Sequence, residues 1–194
     1  MMDKKILFDL YVNKRKSMQE IAEIFSCSLN KIKYWMDKYK IKTRSISEAV
    51  YIKNNPNGDP FIFNKPITLE QAKLLGLGIG LYWGEGTKAD KGSVRLGNTD
   101  PELIKNFILF LKNIFGIRKK DLRFGLQLFT DIDKNSAMDF WVKKIKIKPS
   151  QFYKIIITKS QSLGTYRRKS EYGVLTVYYH NKKLRDLIVS LLPT

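Results

Sequence analysis

The 194 residues contain a single cysteine and a single histidine. Cys27 cannot form an internal disulfide, and with His180 as the lone imidazole no set of Cys and His can close a zinc site. Acids are scarce: 18 Asp and Glu stand against 36 Lys and Arg, a formal charge of +18 and a pI near 9.9. Long hydrophobic runs are missing as well. The longest candidate, residues 74–83, falls short of the roughly 18 to 20 residues that a membrane span needs. The opening twelve residues are apolar only briefly before Asp9 interrupts them, which does not suit a signal peptide. A cytoplasmic protein with no membrane partner is expected. It is not a disordered basic tail, because 43% hydrophobic and 12% aromatic residues suffice for a buried core.

The positive charge is polarised along the chain. Residues 1–60 carry 12 basic and 7 acidic side chains, residues 61–117 carry 7 and 5, and residues 118–194 carry 17 and 6. A phosphate backbone rewards such clustering through counterion release, so double-stranded DNA is the leading expected partner. Two prolines, a glycine and three asparagines fall within residues 54–60 and break all periodicity. The expected organisation is a helix-turn-helix DNA-binding domain over 1–53, a linker over 54–66 and an α+β domain over 67–194.

In the first domain, apolar residues at helical spacing predict a helix over 4–13. Ser17 and Glu20 form a capping-box pattern that opens a second helix, with Ile21, Ala22, Ile24 and Phe25 expected inward. Ser28 is placed to cap a third helix over 29–39, with Leu29, Ile32, Trp35 and Met36 inward and Asn30, Lys31, Lys33, Tyr34, Asp37 and Lys38 outward. Cys27 lies in the intervening turn, where a small apolar role suits it. Two short helices joined by a tight turn, with small Ala22 at the crossing, resemble the helix-turn-helix of resolvases and phage regulators. That resemblance implies a third helix in the major groove, with Asn30, Lys31, Lys33, Tyr34 and Lys38 contacting DNA. A helical packing module with a solvated cationic face is the alternative.

A second capping-box pattern, Thr68 with Gln71, opens a helix that contains four glycines. Each costs roughly 1 kcal/mol relative to alanine inside a helix, so they need a reason. Gly76, Gly80 and Gly84 fall four apart on one face, a spacing that lets two backbones touch and suggests a dimer interface with a second copy or contact with another closely apposed element. The helix ends in Gly84-Glu85-Gly86. The segment from Gly78 to Gly86 resembles the LAGLIDADG signature of homing endonucleases: Gly80-Leu81 matches its central pair and Gly84-Glu85-Gly86 its acidic end, while Gly78, Ile79 and Trp83 depart from it.

Period-two alternation predicts strands over 93–98, 122–129, 152–159 and 172–179, the first paired with a short strand from Thr87 across the turn at Asp90, Lys91 and Gly92. Inward positions are Val94, Leu96, Leu122, Phe124, Leu126, Leu128, Ile155, Ile157, Leu175 and Val177. Helices are expected from Asp100 and Pro101 to a stop at Gly116, over 136–145 and over 182–192. The LAGLIDADG resemblance implies an antiparallel DNA-binding sheet, and the outward set Arg95, Arg123, Gln127, Lys154, Thr176 and Tyr178 would read the groove; otherwise it is an ordinary solvated face. Arg167 and Arg168, in the basic loop over 164–169, are expected to touch phosphates; a merely solvated charge run is the alternative.

The resemblance also implies a function: a site-specific double-stranded DNA endonuclease, a hydrolase acting as a homodimer. Glu85 from each copy would hold Mg²⁺ or Mn²⁺, and Lys154 would steady the developing charge. Glu85 could instead be structural. Some proteins of similar domain makeup are non-catalytic transcriptional regulators, which is the main alternative; an RNA-splicing maturase is a third. His180 and Cys27 fall in different expected domains and suggest no nucleophilic triad. The glycines match neither GxGxxG nor the P-loop pattern, so no nucleotide cofactor is expected.

Overall fold

The computed structural model describes residues 2–159 and 170–193. The chain divides into two compact units, Met1–Pro60 and Phe61–Thr194, and the architecture is α+β.

The first unit is all helical. Helix α1 (Lys4–Phe8) continues as a π-helical turn over Asp9–Asn13, and α2 (Met18–Ile24) starts at a capping box closed in both directions between Ser17 and Glu20. After Ser26, whose φ of 45° turns the chain, Ser28 caps α3 (Leu29–Lys38). Ile21 and Ala22 of α2 pack with Ile32 and Met36 of α3 in the core of the unit. Ile24 and Leu29, both expected inward, are instead exposed at 51% and 44%. They occupy the last turn of α2 and the first position of α3, beyond the crossing where the buried pairs meet.

A fourth helix, α4 (Ile46–Asn54), adds to the three expected, and Ser45 with Glu48 repeats at its start the capping box of Ser17 and Glu20. Arg44 ties the segment before it to the start of the unit. Its guanidinium lies 4.0 Å over the Tyr11 ring and donates to the carbonyls of Tyr11, Arg15 and Lys16, while its amide donates to Tyr11 Oη.

The second unit begins inside the stretch expected to be a linker. The Ile62 amide donates to the Phe115 carbonyl and Phe63 stacks on Phe115 at 5.4 Å. Helix α5 (Leu69–Glu85) is capped by Thr68, but Gln71 completes the pattern one residue further back, accepting from Ile67 rather than Thr68. Strand β1 (Val94–Asn98) leads to α6 (Pro101–Phe115), capped by Asp100 and ended by Gly116 at φ 67°. Then follow β2 (Arg123–Phe129), α7 (Lys134–Ile145), β3 (Ile156–Thr158), β4 (Val174–Tyr179) and α8 (Lys182–Ser190).

The sheet order is β1-β4-β2-β3. β4 is antiparallel to both β1 and β2, but β3 runs parallel to β2, so the sheet is mixed and not the antiparallel one expected. The expected strand from Thr87 reduces to a single bridge between Gly86 and Leu96 with a bond from the Thr87 amide to the Arg95 carbonyl. Val94, Leu96, Phe124, Leu126, Leu128, Leu175 and Val177 are buried as expected, against seven buried residues of α6. Ile157 is 55% exposed despite standing opposite Leu128: β3 has a strand on one side only.

Helix α5 buries one side against α6. Tyr82 stacks on Phe107, and Gly78 lies against Phe110. Among the described residues no helix is long and apolar enough to cross a membrane.

Candidate nucleic-acid interface

The outer side of α3 is built from the inside. Burial of Ile32 and Met36 turns Asn30, Lys31, Lys33, Tyr34 and Lys38 to solvent, where all five are exposed. Ser28 Oγ accepts from the Lys31 amide at 3.3 Å and holds the first turn. Tyr34 meets half-buried Trp35 edge-on at 5.4 Å, and Lys38 Nζ lies 4.8 Å from the Trp35 ring centre. Tyr34 and Lys38 are therefore anchored to the helix surface, leaving Asn30, Lys31 and Lys33 as its unanchored polar groups near the N-terminal end.

On the second unit, pairing register decides which side chains share the open face of the sheet. Arg95, Tyr178 and Arg123 form one row across β1, β4 and β2. Thr176 sits in the next row between Gly97 and Gly125, with its own hydroxyl over Gly97 and the Tyr178 ring over Gly125. Gln127 is exposed one row further, with Nε2 3.4 Å from Thr158 Oγ1 on β3. Lys154 is exposed in the segment before β3, and no hydrogen bond or ion pair joins it to Glu85. Arg167 and Arg168 lie outside the described residues.

Several residues of this face carry no strong signal in the sequence. Asp90 reads there only as part of a turn, yet its carboxylate pairs with Arg95 and accepts from Ser93 Oγ at 2.7 Å and from the Gly92 amide at 2.7 Å. The Gly92 amide, then the Ser93 hydroxyl and the Arg95 and His180 side chains, hold the Asp90 carboxyl below the usual aspartate range. His180, which belongs to no triad, stands 2.6 Å from the hydroxyl of Tyr153 and stacks on Tyr178. Only the Asp-x-Gly-Ser spacing hints at Asp90; nothing local points to Tyr153, 27 residues from its partner.

The end of α5 presents Glu85 to solvent. Gly76, Gly80 and Gly84 are exposed too, and a β carbon on any of them would meet nothing within 4 Å among the described residues. Leu69, Leu77 and Trp83 are exposed on the same side of the helix. Among the described residues no group of three or more His, Cys, Asp and Glu is placed to hold a metal ion.

The two faces combine cations, amides and rings on rigid helices and strands, which suits recognition of a polyanion with base edges. No family model, no curated protein and no solved structure matches the chain.

Proposed function

We propose that the protein binds double-stranded DNA sequence-specifically as a homodimer and is a LAGLIDADG-like, metal-dependent DNA endonuclease. The first unit would act as a helix-turn-helix, with α3 in the major groove, and the second as the LAGLIDADG-like domain. The single observation that carries the reading is α5: a glycine stripe with nothing within 4 Å of its β-carbon positions among the described residues, ending at exposed Glu85, on the unit whose sheet presents Arg95 and Arg123.

The energetics of α5 argue for a second copy on that stripe. Four helical glycines cost about 4 kcal/mol relative to alanine. Gly78 is explained by Phe110 within its own chain, whereas Gly76, Gly80 and Gly84 are not. Backbone contact with an identical helix would offset them, and would cover exposed Leu77 and Trp83. It would also bring two Glu85 carboxylates together, as the metal-dependent reading requires, since no ligand set forms among the described residues of one chain. Mg²⁺ or Mn²⁺ between them would act on the scissile phosphate.

The second reading is a non-catalytic transcriptional regulator on the same framework. It needs no metal-holding group, and none of three or more His, Cys, Asp and Glu is found among the described residues. Incubating the wild type with Mg²⁺ or Mn²⁺ and a plasmid carrying the DNA that flanks its own gene separates the two. The nuclease cuts, and Glu85→Gln abolishes cutting while binding stays intact or tightens. A plasmid that is bound and stays whole leaves the regulator.

A further inference from the structure

The two arginines of the sheet's open face share a row with Tyr178 between them, yet they are held differently. Arg95 Nε donates to Ser93 Oγ at 2.9 Å, and Nη2 pairs with Asp90 Oδ2, the oxygen to which Ser93 Oγ also donates. Guanidinium, hydroxyl and carboxylate thus close a ring. Above it, Arg95 Cζ lies 5.1 Å from the centre of the Tyr178 ring. That ring is fixed in turn by the edge of Tyr153 at 5.5 Å, by His180 at 6.0 Å, and by Gly125, where a β carbon would come within 3.0 Å of it. The Arg123 side chain has no hydrogen bond, ion pair or ring contact among the described residues, and is exposed.

A guanidinium has five N–H donors in a planar fork. The ring uses the one on Nε and one on Nη2. Both on Nη1 and the second on Nη2 remain, and one from each nitrogen forms the end-on pair that matches two acceptors side by side. In the major groove those acceptors are O6 and N7 of guanine. A phosphate offers two oxygens as well, but Asp90 argues against it. An ionised carboxylate against Arg95 cancels the charge that a phosphate would seek and repels the phosphate directly, whereas the neutral guanine edge loses nothing and gains from fixed donors. The Gly92 amide and the Ser93 hydroxyl keep that carboxylate ionised.

Resting on the reading that this face meets duplex DNA, we propose that Arg95 is its guanine-reading residue, donating from Nη1 and Nη2 to O6 and N7 of one base. Asp90, Ser93 and Tyr178 are positioning residues that aim the fork. Arg123, unrestrained and unpaired with acid, contacts phosphate and carries affinity without sequence information.

The test begins with selection of a preferred sequence from a randomised duplex library by the full-length wild type. Binding is then measured to that sequence, to single-base-pair variants of it and to unrelated DNA, over a salt series. Arg95→Lys, which keeps the charge, should lower discrimination at one G·C pair roughly 5- to 150-fold and leave affinity for unrelated DNA within about twofold. Asp90→Asn should lower discrimination at the same pair while tightening binding to unrelated DNA, which a merely structural role would not do. Arg123→Gln should weaken binding to every duplex alike and reduce the salt slope by about one. A uniform loss for Arg95→Lys, or discrimination kept in both Arg95→Lys and Asp90→Asn, overturns the assignment to guanine while leaving DNA binding in place. A wild type that binds no duplex, or for which all three substitutions change nothing, overturns the use of this face together with the assignment.

Discussion

Gly78 of α5 lies so close to Phe110 of α6 that a β carbon built on it would stand 2.1 Å from the ring. Phe110 is fully buried and has nowhere to retreat. Gly78→Ala would gain about 1 kcal/mol of helix propensity and lose more to overpacking, typically about 1 to 3 kcal/mol and here toward the upper end because the approach is so short. A net loss of at least about 1 kcal/mol should appear as a lower urea midpoint at unchanged slope. An unchanged or raised midpoint would mean that the two helices lie further apart than described.

Gly80, two residues on, faces the other way with open space. Gly80→Ala should leave the fold intact, and in a monomer it should raise stability by up to about 1 kcal/mol through propensity alone. Gly80→Leu should separate copies joined on this stripe. Light scattering on the wild type and the leucine variant, free and DNA-bound, decides the matter. A monomer in every case removes the proposed interface.

Reversing Lys31 and Lys33 to Glu on the exposed side of α3 should weaken DNA binding at least tenfold. The log–log salt slope should flatten by roughly 2, at about 0.9 for each phosphate no longer neutralised. Both side chains are exposed, so the helical circular dichroism should not change. Unaltered affinity in a mobility-shift titration would remove α3 from the interface.

Acid should loosen the first unit at its helix starts. The Ser17 amide, helped by the Ser17 hydroxyl, holds the Glu20 carboxyl below its ordinary 4.5, and Ser45 does the same for Glu48. A carboxyl depressed on folding stabilises the native state above its unfolded value and stops doing so as pH falls below that value through the folded one. The two boxes should therefore be complete above about pH 5 and weaken progressively below the ordinary glutamate value. Glu20→Gln, which keeps the acceptor and loses the charge, should remove the share of that dependence due to α2. The amide signals of Ser17 and Ser45, followed by NMR across the titration, report each box separately; signals that ignore acid would contradict the caps.

The starts and stops of helices in this chain are set within four residues: Ser17 with Glu20, Ser28 with the Lys31 amide, Asp100 with Pro101, and Gly116 in the left-handed region at the end of α6. Alternation along β2 and β4 is equally local, so the inward rows are readable from period two. Ser45 with Glu48 is the same local signal, yet the helix it opens buries no residue, so no one-sided apolar pattern accompanies it. What no local pattern carries is which strand lies beside which. The parallel seat of β3 on β2 depends on where the chain returns after α7, and it leaves Ile157 at an edge despite its apolar character. The row Arg95, Tyr178, Arg123 and the contact between Tyr153 and His180 join residues 27 to 83 positions apart. Such neighbours exist only after β4 has inserted between β1 and β2 to bury Leu175 and Val177 against α6. Most helix starts, the alternation of the strands and the sign of the charge were legible along the chain, because short-range hydrogen bonds and periodicity are properties of neighbouring residues. The aim of Arg95 was decided by the tertiary structure, because burying the apolar side of the sheet selects its register, and register selects which polar groups meet on the other side.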